Sequence, residues 1–353
     1  MLNNLRARLL SLKFRAIRRA VIILIAKIPK DLERAITFGD ALNHFLMISP
    51  FRPLFQFSIP KNIKVNVHDL TFDSPIISAS FKDDVSSLFQ WQLIGIGGIT
   101  YKTVLKMPSK GNLRPRIQEV SHDGNYAILN SLGLPTKGVV KFLPQINNKK
   151  LTKFNRPIGI SIGGNSFEEY LSVFSEIDRH LNTIDFSQFF YEINISCPNT
   201  DDGKCLSDDL ESLKNLIIKF RDISSRMIVV KVSPDSTNEE VLKVCEILSN
   251  LSKTAINIGN TKYVKASDVG LSSKTFSKEG GGLSGKSLYT NTLRMVKLVA
   301  SNYDLPIIAT GGVSSYDNVK ELLDNGASLT GMATLLVSDP FQIPLINYRL
   351  SND

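Results

Sequence analysis

The sequence predicts an α/β protein, a (β/α)8 barrel preceded by a short helical N-terminal extension. Three observations carry that expectation. Short apolar runs alternate with amphipathic stretches in β-then-α order, eight times over. Many of the runs end in amides, hydroxyls, a thiol or paired glycines, and barrels gather such chemistry at the C-terminal ends of their strands. A length of 353 residues suits one barrel of about 250 residues plus an extension. A doubly wound open sheet is the structural alternative.

Residues 1–30 hold eight bases, Arg6, Arg8, Lys13, Arg15, Arg18, Arg19, Lys27 and Lys30, and no acid. The net charge of +9 is therefore local, because the rest of the chain carries 34 bases against 33 acids. A nearly neutral body argues against a nucleic-acid partner. Between the bases lie Leu9, Leu10, Leu12, Phe14 and Ile17, then an unbroken apolar run over 21–26. That run is far short of the roughly 20 residues a spanning helix needs, and no convincing cleavage site follows it. Residues 1–28 are expected to form a basic amphipathic helix lying on an anionic membrane surface. A helix packed on its own domain and a disordered tail are the competing readings. Helical patterning continues to about Phe45, with Pro29 dividing it into two helices. Pro50 and Pro53 mark a linker, which separates an extension (1–52) from a barrel domain (53–353).

With 42% hydrophobic and 21% charged residues, the chain can bury a sizeable core. Strands are expected at 76–79, 95–101, 158–162, 189–195, 227–232, 255–258, 306–309 and 328–333. Helical patterns lie between them, for example at 208–220, 238–251, 288–301 and 315–325. The connections from 98 to 158 and from 258 to 288 are long enough to supply a lid. Cys197, Cys205 and Cys245 are too few and too unevenly spaced for a disulfide framework or a zinc cluster, so no metal is expected and a reducing compartment is the default.

The fourth run, Phe189-Phe190-Tyr191-Glu192-Ile193, leads into Asn194-Ile195-Ser196-Cys197-Pro198-Asn199. Two amides, a hydroxyl and a thiol packed together are costly to bury without partners. A binding or reaction site competes here with ordinary turn chemistry, and the other strand ends decide for the site. Lys231 follows the fifth run, where a lysine needs an anionic partner or a depressed pKa. Asn260-Thr261 follow the sixth. Then come Gly281-Gly282-Leu283-Ser284-Gly285, Thr310-Gly311-Gly312 after the seventh run, and Ala333-Thr334 at the eighth. Glycines admit close backbone approach, and successive N–H groups make an anion nest. In barrels the loops after strands seven and eight are the usual phosphate cradle, so a phosphate-bearing cofactor or substrate is expected.

From about residue 60 to residue 340 these motifs resemble those of the flavin-dependent dihydroorotate dehydrogenases. The matching pieces, in the family's order, are Asn130-Ser131-Leu132-Gly133-Leu134-Pro135, the segment 194–199, Lys231, the Gly-Gly-Leu-Ser-Gly segment and Thr310-Gly311-Gly312. The resemblance implies FMN across the barrel mouth, with Gly285, Gly311, Gly312, Ala333 and Thr334 at its phosphate. It implies Lys231 and Asn194 at the flavin, with Ala79 and Ser80 against the isoalloxazine. Asn130, Asn194, Asn199, Asn260 and Thr261 would hold the planar orotate ring, whose edge alternates carbonyls with N–H groups that amides match. Cys197 stands at the family's general base, which removes the C5 proton while C6 gives hydride to flavin N5. Lys102 matches a lysine of the soluble members, whose cation would stabilise reduced flavin or a nearby thiolate.

The resemblance is mixed in one respect. Membrane-bound members carry Ser at the base position and soluble members carry Cys, the more acidic group, with an unperturbed pKa near ~8.5. Yet Ile28-Pro29-Lys30-Asp31-Leu32-Glu33-Arg34-Ala35 resembles the helical extension of the membrane-bound, quinone-reducing members. An extension decides what reaches the flavin, so it is the better guide to the acceptor. The expectation is oxidation of dihydroorotate to orotate in de novo pyrimidine biosynthesis, with a membrane quinone as acceptor. The corresponding location is peripheral, at the inner face of the cell membrane, or cytoplasmic if the extension is no anchor. The alternatives are a soluble acceptor (fumarate, or NAD through a partner subunit), an FMN-dependent reductase of a pyrimidine in RNA, and a degenerate barrel serving as a membrane-attached binding protein. Membrane-bound members also have an Asp-Lys-Asp-Gly turn after the first strand. Here the chain reads Ser80-Phe81-Lys82-Asp83-Asp84, and two readings of Lys82 compete, that lysine's role and a surface charge, the second slightly favoured. The acidic stretch Thr200-Asp201-Asp202-Gly203-Lys204-Cys205 is expected to form the lid, with Cys205 a bystander.

Overall fold

A computed structural model of the protein describes residues 2–26, 31–195 and 209–353. Its eight parallel strands are β1 (Ile76–Ser78), β2 (Ile99–Val104), β3 (Ile158–Ile162), β4 (Phe189–Asn194), β5 (Ile228–Val232), β6 (Thr254–Ile258), β7 (Ile307–Thr310) and β8 (Leu329–Met332). From β2 to β8 each strand pairs with the next in parallel. β8 pairs with β1, and a parallel bridge between Ile77 and Gly98 closes the ring. The expected (β/α)8 barrel is the observed fold. Helices Leu210–Ile223, Asn238–Ser249 and Tyr316–Asp324 start where Asp209, Thr237 and Ser315 accept backbone N–H groups of the first turn.

The second strand starts later than its apolar run suggests. Gly95, at φ +103°, ends the helix Val85–Ile94 in a left-handed turn. Gly97 passes so near Ser74 that a Cβ would lie 2.0 Å from its carbonyl oxygen. The strand therefore runs on to Val104, and Lys102 lies inside it rather than beyond its end.

Alternation along the strands separates two cores. Tyr191, Ile193, Val230, Val232, Ile256 and Ile258 pack outward with the helices. Phe190, Val229, Ala255, Ile308 and Leu329 form a second cluster inside the barrel with Val67, Leu70 and Phe72 of an N-terminal hairpin. One face of β4 thus runs from apolar Phe190 to Glu192 and Asn194.

The two long connections, expected to supply a lid, contribute the four strands of one antiparallel sheet: Ile117–His122, Asn125–Asn130, Lys262–Lys265 and Gly280–Gly285. Asp123 and Gly124, both at positive φ, join the first two as a two-residue hairpin turn. Asn130 opposite Gly282 and Ala127 opposite Gly285 join the two excursions.

The extension is two helices, α1 (Leu2–Val21) and α2 (Leu32–Ile48). α1 packs on the C-terminal helix Gln342–Leu350. There Ser11 donates a buried 2.6 Å bond to Asp339, and Phe14 meets Phe341 edge-on. The opposite face of α1 leaves Leu2, Leu5, Leu9 and Leu12 exposed beside Arg8 and Lys13. Among the described residues no helix is long and apolar enough to cross a membrane.

Candidate active site

Three polar side chains line up across the barrel, because Asn194 of β4, Lys231 of β5 and Asn257 of β6 are register partners. Glu192, two residues before Asn194, shares their face. The four are buried, Glu192 and Asn257 the most deeply at 2% exposure. A carboxylate and an ammonium at that depth must be paired, and they are. Glu192 Oε1 accepts from Ser80 Oγ at 2.5 Å, and its Oε2 accepts from Asn257 Nδ2 at 2.7 Å. Lys231 Nζ donates to Ser80 Oγ at 3.2 Å and lies 3.8 Å from Glu192 Oε1. Asn194 Nδ2 donates to Thr103 Oγ1, and the Asn194 carbonyl accepts from the Tyr170 hydroxyl.

Of the residues expected at the flavin, Ser80, Asn194 and Lys231 therefore belong to one cluster, with Ala79 buried directly before Ser80. Glu192, Asn257 and Thr103 complete it and escaped the sequence reading. A charged residue inside a buried aromatic run was the available signal for Glu192, and a lone amide between isoleucines was the signal for Asn257.

Lys102 lies on β2 beside a small cavity it shares with Asp83, Thr103 and Phe142. Burial pushes its ammonium below the usual lysine range, and the Asp83 carboxylate only partly offsets this. Lys82 is not a free surface charge. It pairs with Asp40 of α2 and with Asp84, which ties the extension to the loop after β1.

Asn130 and Thr261 meet at Gly282 of the four-stranded sheet. Asn130 Nδ2 donates to the Gly282 carbonyl at 3.1 Å, and a Cβ on Gly282 would lie 2.0 Å from Thr261 Oγ1. Asn260 precedes Thr261 at the exit of β6. Cys197, Asn199 and Cys205 lie outside the described residues.

The glycines expected at a phosphate also converge. Gly285 (φ +142°) leads into the turn before helix Tyr289–Ala300, and Gly312 (φ +75°) backs onto it, so that a Cβ would lie 2.3 Å from the Tyr289 nitrogen. Only glycine fits a backbone held that close at positive φ. Gly311 precedes Gly312 at the end of β7, and Ala333 and Thr334 follow β8. Two buried oxygens, Asn257 Oδ1 and Thr310 Oγ1, have no hydrogen-bond partner among the described residues. Unsatisfied buried oxygens, a buried lysine and converging glycines together fit a polar, phosphate-bearing ligand such as FMN.

Comparison with known proteins agrees with that chemistry. The family model described as dihydroorotate dehydrogenase matches residues 62–352. Among curated proteins the chain is similar to two named "Dihydroorotate dehydrogenase B (NAD(+)), catalytic subunit". The protein from Malacoplasma penetrans is 28% identical over 79% of this chain and 88% of its own length. That from Fusobacterium nucleatum is 29% identical over 81% and 91%. Among solved structures it resembles DHODH from Eimeria tenella in complex with ferulenol, with a TM-score of 0.69, 19% identity and coverage of 89% of this chain and 91% of that one. A match of that length cannot fit between residue 62 and the C-terminus, so the likeness in fold includes part of the extension.

Proposed function

The chain belongs to the dihydroorotate dehydrogenase family, an FMN-dependent family, and on that premise we propose that it oxidises dihydroorotate to orotate. The observation that carries the proposal is the buried row Asn194–Lys231–Asn257 with Glu192 beneath it, a polar floor at the end of the barrel where this fold does its chemistry. Bound FMN would supply the two-electron acceptor for the hydride leaving C6. Lys231, held by Ser80 and Glu192, would present its ammonium to the flavin ring, with Ala79 and Asn194 packed beside it. Gly285, Gly311, Gly312, Ala333 and Thr334 would hold the phosphate. Asn130, Asn194, Asn199, Asn260 and Thr261 would orient the substrate ring. Cys197 Sγ would take the C5 proton, so that one proton and one hydride leave dihydroorotate and orotate remains. Lys102, a cation with a lowered pKa, would favour negative charge on its side of the site.

The acceptor has two readings, each with its own support. The names of the curated relatives support electron exit to NAD through a partner subunit, and support it better than they support quinone. The exposed apolar and basic face of α1 supports a membrane surface, the role proposed for residues 1–28, and with it a quinone. An RNA substrate has no support from the family match or from the charge of the body. Anaerobic mixing with dihydroorotate tests the reaction, and bleaching of the flavin absorption is expected. A folded, flavin-loaded protein that stays oxidised would end the proposal. Turnover with a short-chain quinone, fumarate and NAD then separates the acceptors, and failure with quinone alone removes the membrane reading.

A further inference from the structure

Several side chains of the extension reach the four-stranded sheet and the loops beside it, and one of them, Glu33, holds the residue that ties residues 110–112 to 130–132. Glu33, in the first turn of α2, receives a forked pair from Arg116, with Nη2 at 2.9 Å and Nε at 3.1 Å. Arg116 is 9% exposed and spends its remaining donor on backbone carbonyls, those of Lys110 at 2.6 Å, Asn112 at 2.8 Å and Leu132 at 3.3 Å. Its own carbonyl accepts from the Ser131 N–H at 2.8 Å, and its neighbour Ile117 sits opposite Asn130 in the sheet. Arg116 therefore stitches residues 110–112 to residues 130–132, and Glu33 neutralises and orients it. A guanidinium held by a carboxylate fork has a single geometry, and losing the fork frees it to rotate.

We propose that Glu33 is a positioning residue for the substrate pocket, acting through Arg116 on the strand end that carries Asn130. This inference rests on the reading of Asn130 as an orotate ligand. Under it the extension forms part of the active-site scaffold as well as a docking surface.

Orotate titration of the oxidised, flavin-loaded full chain, followed by the shift in flavin absorbance, tests the inference. Glu33→Gln is expected to weaken orotate about 10-fold, and Glu33→Asp, which keeps the charge, to recover most of that loss. The control is Asp31→Asn, which removes the charge of the neighbouring Asp31–Arg114 pair (2.7 Å) while its amide oxygen can still cap α2 at the Glu33 N–H, and which leaves the Arg116–Glu33 fork in place, with Arg114 still 3.1 Å from Glu33. It is expected to lower the melting temperature while leaving orotate affinity within about twofold. Wild-type affinity in Glu33→Gln, or equal weakening in Asp31→Asn, would overturn the positioning role. If Glu33→Gln does not hold flavin, Glu33→Asp against Asp31→Asn gives the same decision. An unmodified protein whose flavin spectrum ignores orotate would instead remove the underlying function.

Discussion

Inside the barrel Glu192, Lys231 and Asn194 are 2%, 5% and 6% exposed, whereas along α1 Leu2, Leu5, Leu9 and Leu12 are 84%, 58%, 50% and 58% exposed. Each region inverts the usual partition of polar and apolar groups, and the two inversions are resolved differently. In the barrel the desolvation cost, about 1–3 kcal/mol for each group left unsatisfied, is mostly met within the fold, because Ser80, Glu192, Asn257 and Lys231 bind one another. Among the described residues nothing covers the exposed leucines of α1, and contact with a further surface is the reading proposed for them. The opposite face of α1 is already engaged by Ser11, Phe14 and Arg18, the last reaching Glu119, Tyr126 and the Val337 carbonyl. On the proposed function, one inversion belongs to the chemistry and the other to contact.

The strongest way to break the comparison is at the reacting atom. Cys197→Ala should slow flavin reduction by dihydroorotate about 10²–10⁴-fold with FMN retained, measured by stopped-flow absorbance. Near-normal reduction would leave the polar floor without its base. Next comes the floor itself. Lys231→Met strands Glu192 as a buried carboxylate, which costs about 3–5 kcal/mol and should deplete bound flavin. Denaturant unfolding and flavin content measure both, and unchanged stability would mean the network is not coupled.

For the extension, Leu9→Glu with Leu12→Glu should weaken binding to anionic vesicles about 10–100-fold, with a stability change within about 0.5 kcal/mol at such exposed positions. This pair is a cleaner test than deleting residues 1–28, because deletion would also uncover Asp339 and Phe341 on the barrel. Vesicle binding that survives the pair would break the contact reading. The smallest effect is expected at Lys102. Its lowered pKa means that the folded protein gives up this proton at a pH where the unfolded chain still holds it, so stability rises with pH between the lowered value and the ordinary 10.5. Lys102→Met should raise the melting temperature by a few degrees at neutral pH, and the gain should shrink above that window. A pH-independent gain would point to packing alone.

Much of this arrangement was legible before any coordinates. Eight runs in β-then-α order announced the barrel, and the residues at their ends announced a site, since strand termini are set by local patterning. Pro29 forecast two helices where α1 and α2 stand. The hairpin at Asp123-Gly124 had a signal, a two-residue turn of the kind that needs positive φ, but reading the connections as loops passed over it. Glu192 hid because a charge in an aromatic run looks like an interruption until one knows which face it occupies.

Membership of a barrel, the glycine segments and the amide-rich strand ends were thus determined by the sequence itself, through periodicity and residue type over a few neighbours. Only the tertiary structure decided that Asn194, Lys231 and Asn257 share one row, that Asn130 meets Gly282, and that Glu33 holds Arg116 from outside the barrel. Those pairings join segments 26 to 152 residues apart. They depend on strand register, on the docking of α2 and on where charges find partners away from water. No local pattern encodes that information, because it arises only when the ring of strands closes and the burial of one segment becomes the environment of another.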